Sequence, residues 1–133
     1  MSIVIGEHRD AYIQKTQQER AAKGFSDAEI SELETRCFQE GKVDDYQGTG
    51  IKMRSLQYDR GICFHWENKS KNKQLEETVQ FKLTNMELVG KWKGQSSIKL
   101  VVPPGKTEFA VLKRSGAGSA NFGLSKKVAL RPV

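Results

Sequence analysis

Apolar and polar side chains alternate through much of the second half of the chain. In the segment from Thr78 to Thr84, Val79, Phe81 and Leu83 fall on one side and Gln80, Lys82 and Thr84 on the other. Successive side chains of a strand point to opposite faces, so this segment has one buried face and one wet face. The pattern recurs. Ile62, Phe64 and Trp66 alternate with Cys63 and His65; Ile98, Leu100 and Val102 follow the same rule. Phe109 and Val111, with the adjacent Leu112, mark a further strand, and Phe122, Leu124, Val128 and Leu130 mark one or two more. Ile51–Tyr58 is the expected first strand. After Asn85 the alternation changes phase, and Met86 and Leu88 continue as a bulge or a new strand. Clusters of Gly, Pro, Asn and Ser separate these runs, and Pro104-Gly105 suits the central pair of a type II turn. Seven or eight short strands at this spacing predict a mainly β fold, an antiparallel β-sandwich or a barrel.

The first third has a different period. Glu7 to Lys23 is rich in helix formers but thin in apolar residues, and Gly24 ends it. A second helix is better marked. Ser26 followed by Glu29 forms a capping box, with Phe25 placed to staple onto Ile30. Ile30, Leu33 and Cys37, joined by Phe38, give residues 26–40 one narrow apolar stripe, and Gly41 supplies the stop. The polar stretch 42–50, with Asp44-Asp45 and Gly48-Thr49-Gly50, is expected to be a linker. Residues 1–5 are β-prone, an edge strand or an anchoring tail. The expected organisation is therefore a helical N-terminal arm of two helices over 1–48 and a β-sandwich domain over 49–133.

Charge sharpens that division. Residues 1–48 carry six Lys/Arg against ten Asp/Glu, a net −4, and residues 49–133 carry sixteen against six, a net +10. The lysines of the β region either solubilise strand faces and guard sheet edges, or present a surface to an acidic partner. A chain of 133 residues supports one domain and its arm. No apolar run is long enough for a transmembrane helix, and the first residues lack the pattern of a secretory signal, so a cytoplasmic setting is expected. There, Cys37 and Cys63 are expected as buried free thiols, and the sequon Asn68-Lys69-Ser70 is expected to go unused.

Candidate chemistry is sparse. Cys63 and His65 share a strand face, but no orienting third group, oxyanion site or helix N-terminus accompanies them, so no catalytic role is expected. His8 and His65 are far apart and the cysteines form no C-x-x-C pair, so no metal site is expected. Asp44-Asp45 with Glu40 lacks the alternating carboxylates of a calcium loop. Gly116-Ala117-Gly118-Ser119-Ala120 follows Lys113-Arg114 like a phosphate loop but opens no helix, which favours a hairpin loop. The pI of about 9.4 fits nucleic acid. No nucleic-acid-binding motif accompanies it, so neither nucleic acid nor a small-molecule substrate or cofactor is the expected partner. The residues expected to meet a partner are Lys91, Trp92, Lys93, Lys113, Arg114, Lys126 and Lys127.

Three segments together resemble a known family. They are Gly61-Ile62-Cys63-Phe64-His65-Trp66 leading into Asn68-Lys69-Ser70, then Leu75 to Leu83 with Met86-Glu87-Leu88-Val89-Gly90, and Pro104-Gly105 before the lysine-bearing run Lys106 to Lys113. From Tyr58 to about Leu130 the chain resembles the non-catalytic β-sandwich domain of calpain-like proteins, most of all the small protist calpain-related modules without a protease core. The chain has no room for that core. The acidic loop of some calpain sandwiches is also missing, so calcium or phospholipid regulation does not carry over. The resemblance implies a stand-alone, non-catalytic binding module associated with the cytoskeleton or cilium. The partner expected is an acidic protein surface or multi-protein assembly, tubulin among the candidates, and the alternative is a peripheral module on anionic membrane lipid.

Overall fold

The computed structural model of the chain describes residues 26–116 and 118–133. The first expected helix, the β-prone residues 1–5 and the staple residue Phe25 lie outside the described residues.

Helix α1 (Asp27–Glu40) begins at the capping box read from the sequence. The Glu29 amide donates to Ser26 Oγ at 3.2 Å, and the Ser26 amide donates back to Glu29 Oε1 at 3.4 Å. Each bond satisfies an amide that the first helical turn would otherwise leave unpaired. Leu33 and Cys37 are buried, as their spacing requires. Gly41 ends the helix for a reason the sequence does not show. Its backbone is extended, at φ −67° and ψ 152°, and a Cβ there would sit 2.4 Å from the Cys37 carbonyl oxygen. The position demands room and makes no use of left-handed backbone.

Eight strands follow: β1 (Lys42–Asp45), β2 (Ile51–Tyr58), β3 (Gly61–Asn68), β4 (Lys73–Thr84), β5 (Met86–Val89), β6 (Ser97–Val102), β7 (Thr107–Arg114) and β8 (Asn121–Pro132). A short 3-10 turn, Gly90–Trp92, sits between β5 and β6. Strands β1-β2-β3-β7-β5 form one sheet and β6-β4-β8 another, and every pairing is antiparallel. The expected Pro-Gly turn joins β6 to β7. The Lys106 amide donates to the Pro103 carbonyl at 3.1 Å, and Gly105 supplies φ +79°, which a type II turn needs at its third position.

Two features depart from the sequence pattern. The first four residues of the expected linker are strand β1, paired from Lys42 opposite Ser55 to Asp45 opposite Lys52. All four residues are exposed, so no apolar alternation announced the strand. The phase change at Asn85 marks a switch of sheets. Asn85 adopts φ +52°, and the chain leaves β4 in one sheet to enter β5 in the other. Asn tolerates left-handed backbone better than most residues, which suits it to this corner.

The two sheets pack face to face around one apolar core. Ile62, Phe64, Trp66 and Leu112 contribute from one side, and Leu75, Val79, Phe81, Ile98 and Leu100 from the other. Helix α1 covers the opposite face of the five-stranded sheet, where Leu33 and Cys37 meet Cys63, Val89 and Val111. Strand β3 is therefore buried on both faces. Its alternation separates two interiors, not core from water. Asn68, at the end of β3, is buried and ties a corner: its amide donates to the carbonyls of Lys73 and Val102, both at 2.8 Å. The sequon asparagine is thus held inside the fold.

Candidate interaction face

Strand β8 pairs with β4 along its whole length, from Lys73 opposite Pro132 to Thr84 opposite Asn121, and no described strand pairs with its other edge. The register fixes its two rows of side chains. Phe122, Leu124, Lys126, Val128 and Leu130 stand opposite Leu83, Phe81, Val79, Glu77 and Leu75, the residues with which β4 builds the core. These five belong to the inward row. Yet Leu124 is 39% exposed and Val128 47%. Phe122 and Leu130, at the two ends of the row, pack against the core, and an open recess of about 430 Å³ lies between β8 and the turn after β1, lined by Asp44, Tyr46, Lys126, Val128 and Leu130.

A polar cluster adjoins this opening through Tyr46 and Lys126. Glu77 lies in phase with Leu75 and Val79 and is 0% exposed. A buried carboxylate is costly unless it is paired and hydrogen-bonded. Here Trp66 Nε1 donates to it at 3.0 Å, the Tyr46 hydroxyl donates to it, and Lys126 Nζ lies 3.6 Å away. Lys126 Nζ also donates to the Tyr46 hydroxyl at 2.8 Å and lies 4.9 Å from that ring's centroid. Burial, reinforced by the Glu77 carboxylate, pushes the Tyr46 phenol well above its ordinary pKa. Lys126 thus reaches from β8 to the far sheet, and its charge is met inside the molecule.

The outward row is different. Lys127 and Arg131 on β8 share the outer face of the three-stranded sheet with Lys82 of β4 and Lys99 of β6. Lys127 and Lys99 both stand opposite Thr78, one on each side of it. Glu76 is the one carboxylate that β4, β6 and β8 place on this face, and it binds Arg131 at 2.7 Å. Lys82, Lys99 and Arg131 were not named from sequence. Their outward phase was visible, but the pairing that gathers them onto one face was not.

The residues expected to meet a partner are dispersed. Lys91 Nζ binds Glu108 at 2.7 Å and lies 4.8 Å from the Trp92 ring centroid. Trp92 is half-buried against the core, and its indole donates to the Phe109 carbonyl at 3.2 Å, so the tryptophan between two lysines is a packing residue. Lys93 is exposed beside it. Lys113 is 1% exposed and bound to Glu87 at 3.0 Å, which removes it from the surface. Glu87 stands directly opposite it on β5, a pairing that β7's own pattern cannot reveal. Arg114 is exposed at the rim of a second recess with Met86 and Phe122. The seven residues form no single patch. Lys126 and Lys127 belong to the β8 side, on opposite rows.

Cys63 and His65 do share a face, the one beneath α1. Cys63 is 0% exposed, and the neighbouring Cys37 thiol, together with burial, raises its thiol far above the ordinary range. The structure brings both free cysteines together across the helix–sheet interface. His65 packs between Phe38 and Phe109, at ring-centroid distances of 5.8 and 6.3 Å. Burial lowers its pKa, and its Nδ1 has no hydrogen-bond partner among the described residues. Neither group is poised for proton transfer with a substrate. Among the described residues no three His, Cys, Asp or Glu side chains cluster to hold a metal, and no helix is long and apolar enough to cross a membrane.

Comparisons with protein-family models, with curated proteins and with solved structures each gave no match.

Proposed function

We propose that the protein is a non-catalytic interaction module, a calpain-type β-sandwich without a protease core, that docks into a larger assembly through its three-stranded sheet. The observation that carries this reading is the exposure of Leu124 and Val128, 39% and 47%, on the inward row of a strand with one free edge. Apolar side chains aimed into a core but left uncovered mark a surface that a partner completes. The adjoining outer face, with Lys82, Lys99, Lys127 and Arg131, favours an acidic partner. A cytoplasmic cytoskeletal or ciliary lattice, microtubules included, has that character.

Co-sedimentation of the full chain tests the reading. The expected result is pelleting with microtubules and not with anionic vesicles, with loss in a Lys82→Glu, Lys99→Glu, Lys127→Glu variant. A Lys91→Glu, Lys93→Glu variant should pellet as the native chain does. Pelleting with vesicles alone would replace this reading by the peripheral-lipid one. Pelleting with neither would remove both.

A further inference from the structure

We infer that β8 accepts an added strand: an extended acidic segment of a partner pairs antiparallel along its free edge, with apolar side chains inward and carboxylates outward. This inference deepens the docking reading and rests on it.

The edge itself is the first ground. Proteins blunt exposed sheet edges by keeping the edge strands short. Three edges here follow that practice, for β1 and β5 are four residues long and β6 is six. Strand β8 is twelve residues long, and no described strand pairs with its outer edge. An inward-pointing charge is another common guard, and Lys126 occupies that place. Its ammonium, however, is held by Glu77 and Tyr46 and does not stand in the path of an arriving strand.

Charge selects the occupant. The β8 segment Asn121–Pro132 contains Lys126, Lys127 and Arg131 and no Asp or Glu. A second copy pairing antiparallel about Lys127 would set that lysine opposite its own copy on the outward row, and like charges directly opposite are destabilising. An acidic segment avoids that. The two rows dictate its alternation. On the inward side Leu124 and Val128 ask for apolar neighbours, and Asp44 and Asp45 at the recess disfavour further carboxylates. On the outward side Lys127 has no ion-pair partner among the described residues and shares its face with Lys99 and Lys82. A segment alternating apolar and acidic residues satisfies both rows, with backbone hydrogen bonds giving affinity and alternate side chains giving specificity.

The probe is a synthetic nonapeptide alternating Val and Glu, compared with one alternating Val and Lys. Binding to the full chain is followed by anisotropy, and amide hydrogen exchange of β8 by NMR. The Val-Glu peptide should slow exchange along β8 and bind roughly tenfold more tightly than the Val-Lys peptide. In Lys127→Glu the preference should reverse, a gain of binding that an unfolded variant could not give. Val128→Glu should weaken the Val-Glu peptide. Binding that leaves β8 exchange unchanged, or a preference indifferent to Lys127→Glu, overturns the inference. So does a concentration-dependent dimer that protects β8, which would make a second copy the occupant. Protection of the free edge in the monomer before peptide is added also overturns it, because another part of the chain then covers the strand. Co-sedimentation lost in the Lys82, Lys99, Lys127 charge-reversal variant, alongside a peptide that leaves β8 untouched, removes strand addition but keeps the docking reading.

Discussion

The two outer sides of the molecule solve the same problem in opposite ways. The outer face of the five-stranded sheet is closed by α1, which lays Leu33 and Cys37 over Cys63, Val89 and Val111. On the inward row of β8 no described element covers Leu124 and Val128, and a polar cluster of Glu77, Trp66, Tyr46 and Lys126 ties the sheets together beside them. Apolar burial is non-directional and seals a surface. A buried ion pair with its hydrogen bonds is directional, and it can pin an opening at one point while leaving the rest uncovered. The side beside Leu124 and Val128 is thereby fixed in shape without being sealed, as the proposed docking requires.

The severest test of that contrast is Glu77→Ala. It leaves the Trp66 indole without an acceptor and takes from the Tyr46 hydroxyl and the Lys126 ammonium their shared carboxylate, and should lower stability by about 3–5 kcal/mol. Lys126→Met should cost about 3 kcal/mol, because it leaves the fully buried Glu77 carboxylate with no cation beside it, although the Trp66 and Tyr46 hydrogen bonds to it remain. Denaturant midpoints measure both. If Glu77→Ala proved nearly neutral, the polar cluster would not be what holds the open side. On the closed side, Leu33→Ala should cost about 2–3 kcal/mol through lost burial and a cavity. It should also raise hydrogen exchange in α1 before the sheets are affected, since the helix docks as a separate layer. Simultaneous exchange of α1 and both sheets would show instead that the helix is inseparable from the core.

How much of this contrast the sequence discloses depends on whether the cause is local. Ser26, Glu29 and the stripe at 30, 33 and 37 mark α1 because capping and helical period are near-neighbour effects. The strands β2, β3, β4, β6 and β7 are legible because one or both of their faces are buried. Strand β1 is silent, being exposed at every position. Lys113 reads as a surface lysine because its partner Glu87 lies on another strand. Trp92 reads as exposed because the lysines on either side of it say nothing of the Phe109 carbonyl it meets. Leu124 and Val128 alternate like core residues, and nothing in their own strand says that no described element covers them. The candidate site is defined by that missing cover, which only tertiary structure reveals.

Acid and thiol chemistry sharpen the closed side further. Burial holds the His65 pKa below its ordinary value, so the unfolded chain takes up a proton before the folded one does. The stability from a neutral His65 is present above the unfolded pKa, about 6.5, and is lost as pH falls toward the lower folded value. The urea midpoint should therefore drop below about pH 6.5, and His65→Phe should flatten that drop. Cys63 should resist iodoacetamide in the native state, reacting only as α1 opens, because its raised thiol is buried under the helix. Rapid alkylation at neutral pH would mean that the helix does not seal this face.

The smallest stability effect belongs to the residues on which the proposed docking rests. Val128→Thr changes a side chain that is already 47% exposed. Little apolar area is lost from a core that never covered it, so the change in denaturant midpoint should correspond to less than about 0.5 kcal/mol. The equivalent change at a covered position of the neighbouring strand β4, Val79→Thr, should cost more, roughly 1–2 kcal/mol, since it buries a hydroxyl among apolar neighbours. The two valines have the same chemistry and both belong to inward rows, so the difference between them measures the missing cover directly. Equal costs would show that in solution something already shields Val128, and the open side would then be closed in the free protein. A near-zero cost at Val128, together with loss of co-sedimentation in Val128→Lys, would separate what this row does for the partner from what it does for the fold.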